Sequence, residues 1–432
     1  ERLAVQLITD DYEQPKIEMV IDLYPDSCGV CEAAFEQYFA GWQPSDHHMS
    51  FEDCVSKTAQ SLQSWSDHYT DPAPGFERAV ALANYINWSC VVAPRGQIST
   101  PMMLSSKNVM HGIWTWDTCF SSLSMAYRMP EQAWKQFFFL FTLMDSTGNF
   151  PNLTTEVNTM WGFACPQLFG WTFERMCQVN PEIKSLDNIR KLYEPLSRAV
   201  NFWFAYQDDD GDGIPQYNHP NESGMDNSTA FDMGMSAESP DLCAYLITEM
   251  HCLADMAGDL GKLRQAGEWR KRADALLDRM IKELWTGERF IARRTDDGAY
   301  NEQSRSILCY MPLILGDLLP DSISRKMIDD LKTNGQLTRI GLASEHPESP
   351  LYVKNSYWRG PVWSPPTLII SHGVRDCGDV EFAREIARRY CGNCRIHGFA
   401  ENYDPYTGEG FKDSAMPWTS SIFMILLHEF LQ

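Results

Sequence analysis

The chain has 432 residues, 44% of them hydrophobic and 12% aromatic, enough to bury a large core and to exclude disorder as its main state. Lys and Arg number 36 against 58 Asp and Glu, a formal charge of -22. Such a surface repels phosphate backbones and anionic headgroups, so nucleic-acid and membrane-surface binding are not expected. No apolar run approaches the roughly 18–20 residues of a membrane span.

In chain order, residues 1–25 stand apart. Leu3, Val5 and Leu7 alternate with other residues, and 18–24 is a β-like run, so residues 1–50 read as an irregular extension with a small β element. The start, Glu1-Arg2-Leu3, shows no apolar leader. The expectation is a signal peptide absent or already removed, and a cytoplasmic protein. From 51 onward the period becomes helical. Helices are predicted at 51–69, 75–92, 116–128, 131–146, 158–179, 187–207, 239–258, 260–284, 303–317, 321–333, 363–374, 379–391 and 416–431. In one of them, Ser239 suits the N-cap, Pro240 the first turn and Gly258 the stop, with Leu242, Tyr245, Leu246, Leu253 and Met256 on one stripe.

Short and long connections alternate, and the long ones (93–115, 147–160, 208–237, 334–362 and 392–415) collect Gly, Pro, aromatic and acidic residues. The pattern predicts an all-α fold over 51–432. Its helical hairpins close into a toroid, with the long loops gathered at one end around a pocket. A solenoid is the alternative, but no fixed repeat is visible. Most of the 13 cysteines sit in apolar helical stretches, as reduced buried thiols do. Cys28/Cys31 and Cys391/Cys394 are CxxC pairs too far apart in sequence, and too poorly flanked, to read as a zinc ribbon. Of four N-x-S/T sequons, those at Asn221 and Asn227 fall inside the loop that carries the candidate acid, where a glycan would block the site.

Five loop segments carry chemistry. Trp114, Trp116 and Asp117 at a helix entrance suit a sugar: indoles for the C–H face of a ring, a carboxylate for paired hydroxyls. Core tryptophans and an N-cap Asp would look the same. In Glu222-Ser-Gly-Met-Asp226-Asn-Ser, Asp226 follows a Gly-containing turn beside apolar Met225, a setting in which a carboxyl keeps its proton near neutrality. An Asx turn is the plain alternative. Tyr357-Trp358-Arg359-Gly-Pro-Val-Trp363 is a rigid aromatic wall with one Arg, a residue that usually pairs with a carboxylate. In Glu401-Asn-Tyr403-Asp404-Pro-Tyr-Thr-Gly-Glu409-Gly, Glu401 or Glu409 suits a general base, and Asp404 before Pro405 suits a turn. Asp208, Asp210, Asp212 and Gly213 occupy positions one, three, five and six of a calcium loop. Position twelve is His219 rather than Glu, so the candidate ligand set is Asp208, Asp210, Asp212 and Ile214, completed from elsewhere.

These motifs, in this order, resemble glycoside hydrolase family 63, which holds processing α-glucosidase I, bacterial α-glucosidases, and mannosylglycerate and glucosylglycerate hydrolases. Trehalases are similar in the Glu-Ser-Gly-x-Asp segment. The resemblance spans roughly 75–432. It implies an (α/α)6 barrel and hydrolysis with inversion, with Asp226 as general acid and Glu401 as general base. It also implies Trp114, Trp116, Asp117, Trp358, Arg359, Trp363 and Trp418 around the sugar, with Tyr403 and Glu409 counted among the substrate residues. The acidic loop resembles a calcium stretch of some members, and no other cofactor is implied. One departure is clear: the family usually continues Asp-Asn-Ser with Pro and then Arg or another residue, whereas here Thr229-Ala230-Phe231-Asp232 follows. The expected function is exo-acting hydrolysis of a small α-linked glucoside: a disaccharide, a short oligosaccharide or a glycerate glucoside. A trehalase-like or debranching-type hydrolase and a non-catalytic glycan-binding protein are the rivals.

Overall fold

The computed structural model describes residues 2–7, 17–22, 49–69, 74–166 and 168–432. The chain divides into two compact units, residues 1–60 and 61–432, so the division falls within the first helix rather than at residue 50. In the first unit β1 (Arg2–Leu7) and β2 (Ile17–Asp22) pair antiparallel, with Arg2 opposite Asp22, which matches the alternation in the sequence. Cys28 and Cys31 lie outside the described residues.

The helices are α1 (Phe51–Tyr69), α2 (Glu77–Cys90), α3 (Thr115–Ala126), α4 (Pro130–Leu143), α5 (Phe169–Val179), α6 (Leu186–Tyr206), α7 (Pro240–Asp259) and α8 (Leu263–Leu284). They are followed by a 3₁₀ segment (Ile307–Leu318), α9 (Asp321–Thr333), α10 (Ser364–Asp376), α11 (Val380–His397) and α12 (Pro417–Phe430). Their packing closes a circle. α12 packs on α3, α3 on α5, α5 on α7, α7 on the 3₁₀ segment, that segment on α10, and α10 on α12 again. Outside this ring, α2 packs on α12, α4 on α3, α6 and α8 on α7, α9 on the 3₁₀ segment, and α11 on α10 and α12. This is the (α/α)6 toroid, six inner and six outer elements, expected from the sequence. No described helix is long and apolar enough to cross a membrane.

Composition explains which helices go inside. Every residue of α3 is buried, as is α10 from Ser364 to Val374. Apart from Asp117 and His372, most of their polar residues within these spans are small hydroxyls, and several bond back along the chain: Thr118 to Trp114 O at 2.8 Å, Thr367 to Trp363 O and Ser371 to Thr367 O at 2.6 Å each. A helix enclosed on all sides needs such self-satisfied polar groups. The outer helices α8, α9 and α11 are charged on one face and bury only a stripe, such as Trp269, Ala273, Leu276 and Met280 of α8.

The structure moves four details. Residues 158–166 are not helical: Thr159 and Met160 pair in a ribbon, and α5 starts only at Phe169, after Pro166. The predicted helix 303–317 is 3₁₀, since Pro312 lacks an N–H and Gly316 takes φ 55°. Ser239 does not cap α7; its hydroxyl goes to Asp241 Oδ1. That helix ends at Asp259, and Gly261 (φ 71°) makes the turn in place of Gly258. The described cysteines are all free thiols, mostly buried, Cys391 and Cys394 included.

Three small ribbons pin the long loops at the N-terminal ends of the inner helices. They join 113–114, 153–154 and 159–160; then 216–217, 237–238 and 293–294; then 362–363, 402–403 and 410–411. One close approach tests the ring. A Cβ on Gly373 of α10 would strike the backbone of Leu313 in the 3₁₀ segment. Gly373→Ala is expected to cost about 1–3 kcal/mol, read as a lower midpoint in urea unfolding, whereas Gly267→Ala on α8, where a Cβ meets nothing within 4 Å, is expected to be neutral or stabilising.

Candidate active site

A cleft with about 630 Å³ of empty space opens among the N-terminal ends of the inner helices. It is lined by Trp114, Trp116 and Asp117 from the start of α3, Trp418 from α12, Tyr357 and Trp358 ahead of α10, and Asp226. Residues far apart in sequence thus share one wall because the ring closes α12 onto α3.

The acid loop is built by local chemistry. Glu222 Oε2 accepts the Asn218 N–H at 2.6 Å and ties the turn 218–222. Gly224 then takes φ 72°, and a Cβ there would meet the Trp116 ring at 2.7 Å. Only glycine lets the loop turn left-handed against that indole. Asp226 follows. Its neighbour Asn227 clips the loop to the facing wall, donating to Ser356 O at 3.0 Å and accepting the Trp358 N–H at 2.8 Å. Thr229 is anchored by Ser304 (2.7 Å) and Glu345 (2.5 Å), and Asn301 donates to the carbonyls of Thr229 and Ala230. The departure after Asp-Asn-Ser is therefore a firmly held segment.

The base loop is pinned from three sides. Asn402 pairs with Trp363, the Glu401 N–H donates to Asp413 O at 2.7 Å, and the Thr419 hydroxyl of α12 holds Ala400 O at 2.9 Å. Glu401 is 7% exposed, and Tyr357 OH donates to its Oε1 at 2.9 Å. Tyr357 sits at φ 56°, unusual for an aromatic residue, and its carbonyl is held by Trp363 Nε1 at 3.0 Å.

Burial sets the protonation states. It pushes Asp226 up to about 6, and the charge of Glu401 pushes the same way. Glu401 is also raised by burial, but the Tyr357 hydroxyl and the Asp413 backbone favour its ionised form. Asp117, sealed in the cleft wall, is raised by burial to about 7, with Glu401 and Asp226 adding like-charge pressure. Asp226 thus keeps a proton into the mildly acidic range, while Glu401 accepts a hydrogen bond that favours its carboxylate. Asp117 Oδ1 and the Nε1 atoms of Trp116 and Trp418 are buried without a protein partner, one acceptor and two donors suited to hydroxyls.

Other predicted residues take different places. Trp363 stacks face to face under Trp358, centroids 3.9 Å apart, and supports the wall from behind. Arg359 is held by Asp232 through two 2.6 Å bonds, the carboxylate partner expected of a lone Arg. Tyr403 is buried in the core, its hydroxyl on Gly398 O at 2.6 Å, and does not line the cleft. Neither Glu409 nor Glu401 is part of the cleft lining itself, but Glu409 is exposed to solvent, whereas Glu401 is buried and bonded to Tyr357, which does line the cleft, so Glu401 is the base candidate. Asp404 forms the expected turn, accepting from Tyr406 and Thr407. Asp208, Asp210 and Asp212 bring carboxylate oxygens within 4.8 Å of one another. Arg293 pairs with Asp212 at 2.7 Å, and Ile214 N–H donates to Asp212 Oδ1 at 2.7 Å. The sequence reading passed over Tyr357, Asn227, Asn152 and Phe163. Tyr357 and Asn227 stood inside motifs already singled out; the other two come from a loop with no motif of its own.

A closed helical ring with an aromatic cleft lined by Asp117 and Asp226, and with Glu401 bonded to its Tyr357, fits the glycoside hydrolases of the (α/α)6 class. The profile of the mannosylglycerate hydrolase MGH1-like glycoside hydrolase domain matches residues 110–419, and the chain belongs to that family, within glycoside hydrolase family 63. It is 22% identical to mannosylglycerate hydrolase MGH1 of Selaginella moellendorffii, over 73% of this chain and 80% of that protein. It is 22% identical to the mannosylglycerate hydrolase of Rubrobacter radiotolerans, over 73% and 90%. The fold matches that of the GH63 mannosylglycerate hydrolase of Thermus thermophilus in complex with glucose, with TM-score 0.70, 18% identity, and 79% and 98% of the two chains covered. It also matches neutral trehalase Nth1 of Saccharomyces cerevisiae, with TM-score 0.61, 15% identity, and 77% and 74% covered.

Asn227→Ala cuts both ties between the acid loop and the Trp358 wall. The expected result is a ten- to hundredfold lower kcat, roughly the cost of a misplaced catalytic group, with a melting temperature within a few degrees of the parent.

Proposed function

We propose that the protein is an inverting, exo-acting α-glycosidase that hydrolyses a small α-linked glucoside, with Asp226 as general acid and Glu401 as general base. The observation that carries this reading is the pair itself: one carboxyl raised to about 6 in a dry cleft, another accepting from Tyr357 OH and poised as an anion. Inversion needs a protonated group at the glycosidic oxygen and a carboxylate that activates water on the opposite face of the ring. Asp226 gives its proton to the leaving oxygen as the C–O bond breaks. Water, its proton passing to Glu401, forms the new bond to the anomeric carbon. Trp116, Trp358 and Trp418 offer aromatic surface to the sugar ring, and Asp117 accepts from its hydroxyls. The relatives named mannosylglycerate and glucosylglycerate hydrolases support a small glycoside as substrate. Both carboxyl groups being in place speaks against a purely glycan-binding protein.

Asp226→Asn and Glu401→Gln are each expected to lower kcat on α-glucosides by at least about a thousandfold while the chain stays folded by circular dichroism. Proton NMR of the parent should show the β-anomer of the released sugar first; the α-anomer first refutes inversion. Because the acid works protonated, kcat/KM falls as pH rises through about 6; because the base works ionised, it falls again on the acid side. A profile still rising at pH 8 would contradict the Asp226 assignment.

A structural Ca²⁺ held by Asp208, Asp210, Asp212 and the Ile214 carbonyl is part of the same reading. Three clustered carboxylates support it, although Arg293 already offsets part of their charge. Added Ca²⁺ is expected to raise the melting temperature by a few degrees, EGTA to reverse this, and Asp210→Ala to abolish it. An unchanged melting curve removes the ion.

A further inference from the structure

Asp226 sits in a tight turn. The Ser228 N–H donates to Met225 O at 2.8 Å and closes the turn Met225–Ser228, with Asp226 second in it. Ahead of the acid, Ser223 Oγ accepts the Met225 N–H at 3.0 Å. Behind it the chain runs into Thr229-Ala230, where the sequence leaves the family pattern. The rear of the turn is therefore held by side chains of this chain's own choosing.

Four hydroxyls and a carboxylate meet there, all buried: Ser228, Thr229, Ser304, Ser306 and Glu345. Ser228 Oγ and Ser306 Oγ share a hydrogen bond of 2.7 Å. Thr229 Oγ1 donates to Glu345 Oε2 at 2.5 Å and accepts from Ser304 Oγ at 2.7 Å. Glu345 Oε1 accepts the Arg305 N–H at 3.1 Å. One carboxylate thus takes the acid loop on one oxygen and the backbone of 304–306 on the other. The Thr229 contact has the length of a charge-assisted O–H···O⁻ bond, about 2.5–2.7 Å. An amide offers one acceptor atom where these two donors arrive.

Glu345 makes no ion pair among the described residues; Arg359, whose charge it feels, is taken by Asp232. A fully buried carboxylate without a counter-ion is costly unless hydrogen bonds offset the lost water, so stability alone gives little reason for one here. Its neighbour Ser344 accepts the Gly360 N–H on Oγ at 2.9 Å and donates its own N–H to Pro361 O at 3.1 Å. The segment that holds Thr229 therefore also supports the wall of Tyr357 and Trp358, but through Ser344 and not through the Glu345 carboxylate.

We propose that Glu345, acting through the Thr229 hydroxyl, is a positioning residue for the general acid: it fixes the turn that aims Asp226 at the glycosidic oxygen. Glu345 does not line the cleft. This rests on the assignment of Asp226 and Glu401 above and adds to it the group that holds the acid in place.

A misaimed acid matters only where the leaving group needs a proton. A sugar alkoxide does; fluoride, a weak base, leaves with little help. The test measures kcat and KM on α-glucosyl fluoride and on whichever of trehalose, maltose, kojibiose and glucosylglycerate the parent hydrolyses fastest. Two variants set the scale: Asp226→Asn loses the glycoside far more than the fluoride, and Glu401→Gln loses both. Thr229→Val and Glu345→Gln are each expected to lower kcat on the glycoside about thirty- to hundredfold and on the fluoride less than about threefold, with KM within about twofold of the parent. Thr229→Ser, which keeps the hydroxyl, should recover most of the rate. A residue needed only for folding would lower both substrates together. Should Glu345→Gln not fold, Thr229→Val decides alone. Equal losses on the two substrates, or parent-like rates on both, overturn the proposal while Asp226→Asn still separates glycoside from fluoride. If Asp226→Asn does not separate them, or the parent hydrolyses none of these compounds, the reading of the acid itself is overturned.

Discussion

Loss of water around Asp226 is the constraint on which the site depends. An aspartate in solvent is ionised well below neutrality and has no proton to give. Here the indole of Trp116, the backbone of the Gly224 turn and the Trp358 wall remove its solvent, and no cation restores the balance; the carboxyl rises to about 6. A lysine or arginine close by would undo this by favouring the anion. The lack of positive charge in the described cleft lining is thus tied to the raised carboxyl of Asp226. Glu401, almost as buried, differs because Tyr357 OH and nearby backbone stabilise its charge. Hydrogen bonds, not depth alone, therefore set the two carboxyl groups apart, as the proposed acid and base require.

That division requires the cleft to keep its shape, and the toroid supplies it. α3 and α12 begin at the cleft and are enclosed along nearly all their length, so their first residues have little room to move. The aromatic residues interlock. Trp116 meets Trp418 edge-on at 5.9 Å, Trp418 meets Trp363 at 5.7 Å, and Trp363 lies flat under Trp358. Edge-to-face contacts of this kind fix ring orientation beyond simple area burial. Trp363 has a further part: its Nε1 holds the carbonyl of Tyr357, whose hydroxyl reaches Glu401. A residue behind the wall thereby orients the base.

The ring was legible in the sequence because its inner and outer helices differ in composition. The period of α8 and the unbroken apolar character of α12 are visible without coordinates, and α1 and α9 begin and end where predicted. What failed were local backbone effects. Pro166 and the 159–160 ribbon cut the first half from a predicted helix, and Pro312 with Gly316 turned another into 3₁₀ structure. In the site, the motifs marked the right loops but not which side of each loop faces the cleft. Strand pairing decides that. Asn402 lies opposite Trp363 and Phe411, and Tyr403 opposite Val362 and Gly410; Tyr403 turns to the core and Glu409 to solvent, while Glu401 reaches Tyr357.

Asn152 shows why part of the cleft lining was harder to read. Its local sequence marks it only as an N-x-T sequon, whereas its place in the cleft comes from pairing of 153–154 with both 113–114 and 159–160. That ribbon carries Trp114 on one strand and ends beside Trp161 on the other. A change in the length of 155–162 would therefore re-aim Trp161 and Phe163 without touching Asp226, Glu401 or the tryptophans beneath. The cleft lining thus rests on two kinds of support: the enclosed starts of α3 and α12, and an exposed hairpin that tolerates change.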